Sequence, residues 1–286
     1  FMVLGVAGFG LLGKVRWLGV TAGSLLRFAL HVISGVVFFA EYTPEGSSVL
    51  GYSLLYNAHY MVPSALLGGK SLNQEHSLSA LILASGEDVP RKPPASVLED
   101  ALIICADGGG SLARKWQLRP DLIIGDLDSL PAEDQEFWAA QGVPFQTVPP
   151  RKDQTDLELA VEYALGRGAI SISLVGAWGS RIDHALGNVE ILYRLALQGV
   201  ENHLITKGHV LSAFCASSKS QVRKGSIVSL VPLTPVVRGV KTRGLGYPLS
   251  GQDLYKGSTF TISNQAVSSE IEVSIAEGVL LLVLEQ

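Results

Sequence analysis

The sequence predicts an α/β domain followed by an all-β subdomain, with three apolar segments before them. Three observations support this expectation. The segments 1–12, 17–39 and 49–67 are almost without charge, strand-like and helix-like segments then alternate up to about residue 215, and short strand-like runs separated by Gly, Pro and Ser follow. Strands that alternate with helices predict a mainly parallel sheet with helices on both faces.

The second and third apolar segments reach the roughly 20 residues that a membrane-spanning helix needs. The first is shorter, and a chain that starts with Phe1 is compatible with a missing N-terminal part. Lys14 and Arg16 follow the first segment instead of preceding it, which argues against a signal peptide. By the positive-inside rule, we expect everything after Lys70 to be cytoplasmic and the chain to be held at the cell membrane.

The α/β part is predicted to contain buried strands at 80–84, 101–106, 122–124 and 170–175. Helices are predicted at 112–116, at 183–198 and from Thr155 onward, where Thr155 and Glu158 have the spacing of a capping box. In the last part, strands are expected at 227–232, 236–242, 260–263, 271–275 and 279–284, with residues 276–278 as a hairpin turn. This divides the chain into membrane helices at 1–70, a linker at 71–79, an α/β domain at 80–215 and an all-β domain at 216–286.

The composition excludes one large class of partners. The formal net charge is −4 and charged residues make up 17 % of the chain, so there is no basic footprint for nucleic acid. The two cysteines, Cys105 and Cys215, are far apart and lack the spacing of metal ligands or of a disulfide framework.

Acidic residues follow the predicted strands at their carboxyl ends. Asp126 and Asp128 come just after the strand 122–124 and Gly125, and Asp107 ends the strand before it. Ligands of open α/β sheets bind outside these strand ends, and neighbouring carboxylates are most easily retained around a cation such as Mg²⁺. The alternative is that Asp126 and Asp128 only stabilise a turn, as Asp often does.

Two further segments are suited to an anionic ligand. Residues 152–156 stand at the start of a predicted helix, where backbone N–H groups and the helix dipole favour phosphate. The loop 176–184 is rich in glycine and contains Arg181, whose guanidinium can bind a polyphosphate with two hydrogen bonds. Asp153 and Asp156 could instead be ordinary helix caps, and His184 beside Asp183 is more typical of packing or capping than of a catalytic base.

The order of four motifs resembles the thiamine pyrophosphokinase family. These are Ala106-Asp107-Gly108-Gly109, Gly125-Asp126-Leu127-Asp128-Ser129, Lys152-Asp153-Gln154-Thr155-Asp156 and Gly179-Ser180-Arg181-Ile182-Asp183-His184, and the resemblance runs from about residue 80 to the end. Ser180 stands where many members have Gly, and Gly110 where many have Ala. The resemblance implies transfer of a pyrophosphoryl group from ATP to thiamine, with an α/β nucleotide-binding domain, a β-sandwich domain and a homodimer.

The same resemblance implies roles for individual residues. Mg²⁺ would be bound, directly or through water, by four acids, and one further acid would orient or deprotonate the thiamine hydroxyl. Four residues would bind ATP as co-substrate, and two in the last domain would contact thiamine. The acids at the metal are Asp107, Asp126, Asp128 and Asp156; the acid at the hydroxyl is Asp183; the ATP contacts are Lys152, Gln154, Thr155 and Arg181; the thiamine contacts are Ser263 and Asn264.

The apolar segments resemble a different family. Residues 26–39 and 52–57 are similar to the last helices of the thiamine-specific subunit of energy-coupling-factor transporters, over about half of that family's length. The resemblance implies that His31, Tyr52 and Asn57 contact thiamine and that other transporter subunits are possible partners.

Two alternatives to a membrane-tethered kinase remain open at this point. One is a thiamine-binding transport component whose kinase-like domain senses nucleotide. The other is a Mg²⁺-dependent nucleotide hydrolase that uses the same carboxylates. The retained acidic set favours the kinase, because a sensor could lose those residues.

Overall fold

The computed structural model describes Ser48 and residues 78–92, 95–149 and 153–286. The predicted membrane helices and the predicted contacts His31, Tyr52, Asn57 and Lys152 lie outside these residues. Within the described residues, no helix has both the length and the apolar character needed to cross a membrane.

The elements of the α/β part alternate along the chain as predicted. Its strands are Ser79–Leu83 (β1), Leu102–Ala106 (β2), Leu122–Gly125 (β3), Phe145–Thr147 (β4), Ser171–Val175 (β5), Glu201–Ile205 (β6) and His209–Phe214 (β7). Its helices are Gly109–Trp116 (α1), Ala132–Ala140 (α2), Asp156–Gly166 (α3) and Ile182–Leu197 (α4), and Ala95–Val97 forms a single 3₁₀ turn.

Short strands make up the rest of the described chain. They are Ser217–Gln221 (β8), Ile227–Pro232 (β9), Val236–Arg243 (β10), Ser250–Tyr255 (β11), Asn264–Gln265 (β12), Glu270–Ser274 (β13) and Leu280–Glu285 (β14).

The α/β part is built on a parallel sheet with the strand order β6-β5-β1-β2-β3-β4. Side chains of β1 alternate between its two faces, as the period of two in a strand requires. Ala80 and Ile82 belong to one buried cluster with residues of α3 and α4, and Leu81 and Leu83 belong to another with residues of α1 and α2. The prediction of a mainly parallel sheet with helices on both faces is therefore confirmed for this part.

The sheet does not end at the parallel strands. β7 pairs antiparallel with β6, and β14, β9 and β12 follow, so that ten strands form one continuous sheet. A second sheet has the order β11-β10-β13-β8. Buried residues from both sheets form one cluster, such as Leu230 and Leu282 from the first sheet with Val240 and Val273 from the second. The C-terminal part is thus a β-sandwich that shares its larger sheet with the α/β part.

Two local predictions in the sandwich are wrong. Residues 260–263 form a turn instead of a strand, because Ser263 has a φ of 61° and the Thr261 hydroxyl donates to the Leu230 carbonyl (2.6 Å). Residues 276–278 do not form a hairpin turn, since β13 pairs with β8 and β10 whereas β14 pairs with β7 and β9. The chain crosses there from one sheet to the other, with Gly278 at a φ of 102°.

Candidate functional site

A cavity of about 400 Å³ opens at the carboxyl ends of the parallel strands. The loops after β1, β2, β3 and β5 line it, together with the first residues of α3 and of α4. This is the edge of an open α/β sheet where ligands usually bind.

Three acids meet in this cavity. Asp107 follows β2, Asp126 follows β3 and Asp156 begins α3. One carboxylate oxygen from each lies within 4.8 Å of the other two. Asp128 also lines the cavity but stands outside this group of three. Oxygen ligands in such a cluster suit a hard cation such as Mg²⁺.

Asp107 is the buried member of the group, with 8 % of its surface exposed. Its Oδ2 accepts a hydrogen bond from the Ser129 N–H (3.3 Å), while its Oδ1 is buried without a hydrogen-bond partner among the described residues. Burial raises the pKa of this carboxyl, and the nearby charges of Asp128 and Asp156 raise it further. A buried, unpartnered carboxylate oxygen beside two other acids fits a bound cation.

The loop after β3 is held by several local hydrogen bonds. Leu127 has a φ of 66°, which lets the Asp128 N–H donate to Asp126 Oδ1 (3.3 Å). The Ser129 hydroxyl donates to Asp128 Oδ1 (2.9 Å), and Gln135 Nε2 of α2 donates to the Leu127 carbonyl (3.2 Å). The loop therefore presents its two acids in a fixed arrangement.

Helix α3 brings its first turn to the cavity. Thr155 is the N-cap and accepts from the Glu158 N–H (3.2 Å), which is one half of the predicted capping box. The Glu158 carboxylate accepts from Arg194 Nη1 of α4 (2.6 Å) and so ties the two helices together. Thr155 lines the cavity, whereas Gln154 is not among the lining residues and donates to Glu162 (2.7 Å).

The loop after β5 forms the opposite wall of the cavity. Gly176 has a φ of 70°, and a Cβ atom there would lie 2.2 Å from the Ala84 carbonyl oxygen, so only glycine fits this approach of two loops. Asn188 of α4 is buried and donates through Nδ2 to the Ala177 carbonyl (2.7 Å), which fixes the loop from behind.

Arg181 and Asp183 form an exposed ion pair at the mouth of the cavity. Arg181 Nη2 lies 2.7 Å and Nε 3.1 Å from the two oxygens of Asp183. The hydrogen bonds from Arg181 lower the pKa of Asp183 to about 2. Arg181 and His184 line the cavity, and Asp183 is not among its lining residues.

Ser263 and Asn264 lie in the sandwich and are not among the residues that line the cavity. The Ser263 N–H donates to Ser229 Oγ (3.0 Å). Asn264 bridges the chain: its Oδ1 accepts from the Tyr247 N–H (3.0 Å) and its Nδ2 donates to the Tyr247 carbonyl (2.8 Å). The Asn264 side chain therefore shapes the segment around Tyr247.

Sequence reasoning missed the loop after β1. Ser85, Gly86 and Glu87 line the cavity, and Glu87 accepts hydrogen bonds from Ser180 in the loop after β5. The signal was present, because these residues follow a buried strand at its carboxyl end just as Asp107 and Asp126 do.

Fold and site together define a class: an α/β protein with a carboxylate cluster at the ends of its parallel strands and a β-sandwich that shares its larger sheet. Residues 95–204 match the family profile described as thiamin pyrophosphokinase, catalytic domain, and residues 217–280 match the vitamin B1 binding domain of thiamin pyrophosphokinase. Residues 4–72 match the thiamine transporter protein family. The chain therefore matches both domain profiles of the thiamine pyrophosphokinase family and, in its first part, a thiamine transporter family.

Individual relatives agree with the family profiles. The chain is 28 % identical over 188 residues to thiamine pyrophosphokinase of Bacillus subtilis, an alignment that covers 65 % of this chain and 87 % of that protein. It is 26 % identical over 220 residues to thiamine pyrophosphokinase 1 of Arabidopsis thaliana, covering 67 % and 81 %. Over 45 residues it is 62 % identical to the thiamine transporter ThiT of Bacillus subtilis, which covers 16 % of this chain and only 23 % of that transporter.

Solved structures show the same fold. The crystal structure of thiamine pyrophosphokinase from Bacillus subtilis is similar with a TM-score of 0.67 and 26 % identity, over 73 % of this chain and 99 % of that one. The enzyme from Geobacillus thermodenitrificans gives a TM-score of 0.65 and 27 % identity, over 73 % and 98 %.

Proposed function

We propose that this protein is a thiamine pyrophosphokinase held at the cell membrane by its N-terminal segment. The reaction transfers the terminal pyrophosphoryl group of ATP to the hydroxyethyl oxygen of thiamine and gives thiamine diphosphate and AMP. The observation that carries the proposal is the group of three carboxylates in the cavity of a fold shared with thiamine pyrophosphokinases.

Asp107, Asp126 and Asp156 would hold Mg²⁺, with Asp128 acting directly or through water. A bound Mg²⁺ would neutralise charge on the polyphosphate and orient it for attack. The buried atom Asp107 Oδ1 supports a metal ion at this site, because it has no hydrogen-bond partner among the described residues.

The remaining lining residues suit the polyphosphate of ATP. Thr155 lies at the N-terminus of α3, whose first N–H groups and dipole favour an anion, and Arg181 is a cation at the opposite wall. We assign ATP binding to these two residues together with Gln154 and Lys152. Such groups act mainly by positioning, since little covalent chemistry falls to the protein in phosphoryl transfer.

In the reaction, the thiamine hydroxyl oxygen forms a bond to the β-phosphorus of ATP. The bond from the β-phosphorus to the oxygen that bridges it to the α-phosphorus breaks, AMP leaves with that oxygen, and the hydroxyl proton passes to solvent. The family resemblance implies that Asp183 orients or deprotonates this hydroxyl. Its low pKa and its pairing with Arg181 favour an orienting role, because a carboxylate with a pKa of about 2 is a weak base.

We assign the thiamine side to Ser263 and Asn264 and expect a homodimer. The exposed apolar residues Tyr247, Phe260 and Ile262 lie in the same part of the sandwich, and exposed apolar surface of this kind is typical of contact sites. Sedimentation velocity of the purified protein tests this expectation. A homodimer would sediment with twice the mass of the monomer.

The N-terminal segment would act as an anchor and would bring thiamine to the enzyme. His31, Tyr52 and Asn57 are the proposed thiamine contacts there, and subunits of an energy-coupling-factor transporter are the proposed partners. The match of residues 4–72 to a thiamine transporter family supports this assignment. Recovery of the full chain in the membrane fraction, resistant to a high-salt wash, would agree with an anchor.

A second candidate function has its own support in the transporter match. In that case the chain is a thiamine-binding transport component, and its kinase-like part only senses nucleotide. The two functions differ in turnover, because a sensor binds ATP without converting it.

The experiment that tests the proposal follows the phosphates of ATP. The full chain is incubated with thiamine, Mg²⁺ and ATP labelled with ³²P at the β-position. The proposal expects the label in thiamine diphosphate and unlabelled AMP as the other product. Thiamine monophosphate with ADP, or labelled pyrophosphate released without thiamine, would contradict it.

A further inference from the structure

One carboxylate joins two of the loops that line the cavity. Glu87 lies in the loop after β1, and Ser180 lies in the loop after β5. The Ser180 N–H donates to Glu87 Oε2 (3.2 Å), and the Ser180 hydroxyl donates to Glu87 Oε1 (3.1 Å). Both oxygens of Glu87 are therefore engaged by one residue of the opposite loop.

Backbone hydrogen bonds between the two loops bring the side chains of Glu87 and Ser180 together. Pairing of the two segments continues beyond the strands, since the Gly86 N–H donates to the Gly176 carbonyl (2.7 Å) and the Asp88 N–H donates to the Trp178 carbonyl (3.2 Å). A Cβ atom on Gly86 would lie 2.4 Å from the Gly176 oxygen, so the two loops pack too closely there for any side chain at residue 86.

The hydrogen bonds between Glu87 and Ser180 affect Arg181, because Ser180 is its neighbour in the chain. Ser180 directly precedes Arg181, the cation that lines this wall of the cavity. A glycine in place of Ser180 would have no hydroxyl to donate. The second hydrogen bond therefore depends on the residue that this chain carries.

We propose that Glu87 is a positioning residue for ATP, which fixes Ser180 and thereby holds Arg181 where it meets the polyphosphate. This inference rests on the proposed function, because it assumes that ATP binds in the cavity. Glu87 acts through the loop and makes no contact with the reacting atoms.

Steady-state kinetics of Glu87→Ala, Glu87→Gln, Ser180→Ala and the double variant Glu87→Ala/Ser180→Ala tests the proposal. We expect Glu87→Ala to raise the KM for ATP about 5- to 20-fold, the scale of two hydrogen bonds to a charged group, with the KM for thiamine unchanged. Glu87→Gln should be milder, because its amide oxygen still accepts one bond. Ser180→Ala should cost about 2- to 5-fold, since only the hydroxyl bond is lost.

The double variant separates positioning from independent effects. Because the Ser180 hydroxyl acts through Glu87, adding Ser180→Ala to Glu87→Ala should change the KM for ATP no further. Glu136→Ala is the matched control: Glu136 is exposed on α2 and is not among the lining residues, so its removal should leave both KM values unchanged. Additive effects, or equal increases in both KM values, would overturn the proposal.

Equilibrium binding makes the result independent of turnover. Titration calorimetry with Mg²⁺ and an ATP analogue that has a non-hydrolysable α–β bridge should show the same order of affinities, wild type above Ser180→Ala above Glu87→Ala. Equal affinities in all variants would overturn the role of Glu87. If the wild type binds the analogue but forms no thiamine diphosphate from ATP, the proposed function fails, and the affinities still decide the role of Glu87.

Discussion

The Ser129 N–H donates a hydrogen bond to Asp107 Oδ2 across a distance of 3.3 Å. This bond joins the loop after β3 to the residue that follows β2, and Asp107 Oδ1 stays buried without a hydrogen-bond partner among the described residues. The arrangement stabilises one oxygen of the carboxylate and leaves the other dependent on a ligand.

The first prediction concerns the charge of Asp107. The folded protein has a raised pKa for this carboxyl, so its contribution to stability is present below the unfolded pKa of about 3.8 and is lost as the pH rises through the folded pKa. Above the unfolded pKa this carboxyl therefore makes the metal-free protein less stable than a neutral side chain at the same position would. We expect Asp107→Asn to raise the melting temperature of the metal-free protein at pH 7 and to abolish the stabilisation by Mg²⁺, as measured by thermal unfolding with EDTA and with Mg²⁺.

Asp100→Asn is the control for this prediction. Asp100 is exposed, and its φ of 53° is close to the φ of 45° at Asp107. It is not among the residues that line the cavity. Its substitution should leave the response to Mg²⁺ intact. A Mg²⁺ response of wild-type size in Asp107→Asn would contradict the metal assignment.

The acids should differ in their effect on Mg²⁺ affinity. Asp126 belongs to the group of three, whereas Asp128 lines the cavity outside it and accepts from the Ser129 hydroxyl. We expect Asp126→Asn to lower activity by at least about 1,000-fold and to remove Mg²⁺ binding. Asp128→Asn should leave folding nearly intact and weaken Mg²⁺ affinity about 10- to 100-fold, as expected for a group that acts through water. Activity measured as a function of Mg²⁺ concentration gives the maximal activity and the apparent Mg²⁺ affinity of each variant. Equal losses in Asp126→Asn and Asp128→Asn would contradict the prediction.

Two glycine substitutions should have opposite signs. A Cβ atom on Gly109, the first residue of α1, would lie 2.0 Å from the Leu83 carbonyl oxygen, so Gly109→Ala should lower the free energy of unfolding by about 1–3 kcal/mol. Gly187 is an exposed glycine within α4 with no atom within 4 Å of an added Cβ. There, Gly187→Ala should raise stability by about 0.5–1 kcal/mol. Urea unfolding measures both, and a stabilised Gly109→Ala would show that the β1–α1 contact is looser than described.

Asp183 should not set the pH dependence of activity. Its pKa is lowered to about 2 by the hydrogen bonds from Arg181, so it stays ionised throughout the neutral range, and its contribution is lost only as the pH falls below the unfolded value toward 2. We expect Asp183→Asn to change activity by at most about fivefold, the scale of an exposed ion pair, with the pH–rate profile unmoved between pH 6 and 9. A shifted limb of that profile would identify Asp183 as a titrating base.

Asn264 should act on the fold of the sandwich. Its side chain makes two hydrogen bonds to the backbone of Tyr247, so Asn264→Ala should lower the free energy of unfolding by about 1–2 kcal/mol. Asn264→Asp keeps the acceptor and loses the donor, and its effect should be smaller. Thermal unfolding checks this order, and unchanged stability of Asn264→Ala would contradict it.

Much of the α/β part could be predicted because its buried strands are unbroken apolar runs. Leu122–Gly125 is one of them, and the acids follow directly at its end. The strand Ser217–Gln221 has no such signal: its sequence is polar throughout, and it is a strand because β13 offers it a partner. The same holds for the crossing at 276–278, since local sequence does not specify which sheet the next strand joins.

The site divides in a similar way. The grouping of Asp107 with Asp126 could be expected because both follow buried apolar strands, whereas Asp156 is indicated by its place at the start of a predicted helix. Glu87 could not be given a role from sequence, since its meaning depends on Ser180, 93 residues away along the chain and adjacent in space. The hydrogen bonds of Asn264 to Tyr247 could not be predicted for the same reason, because only the folded sandwich brings the two residues together.

The most direct test of the central claim is the stoichiometry of products formed by the full chain with ATP and Mg²⁺, with and without thiamine. The account predicts AMP and thiamine diphosphate in equal amounts, and neither product without thiamine. AMP or ADP formed without thiamine would contradict the account and point to a nucleotide hydrolase. Nucleotide binding without any product would contradict it in favour of a sensor.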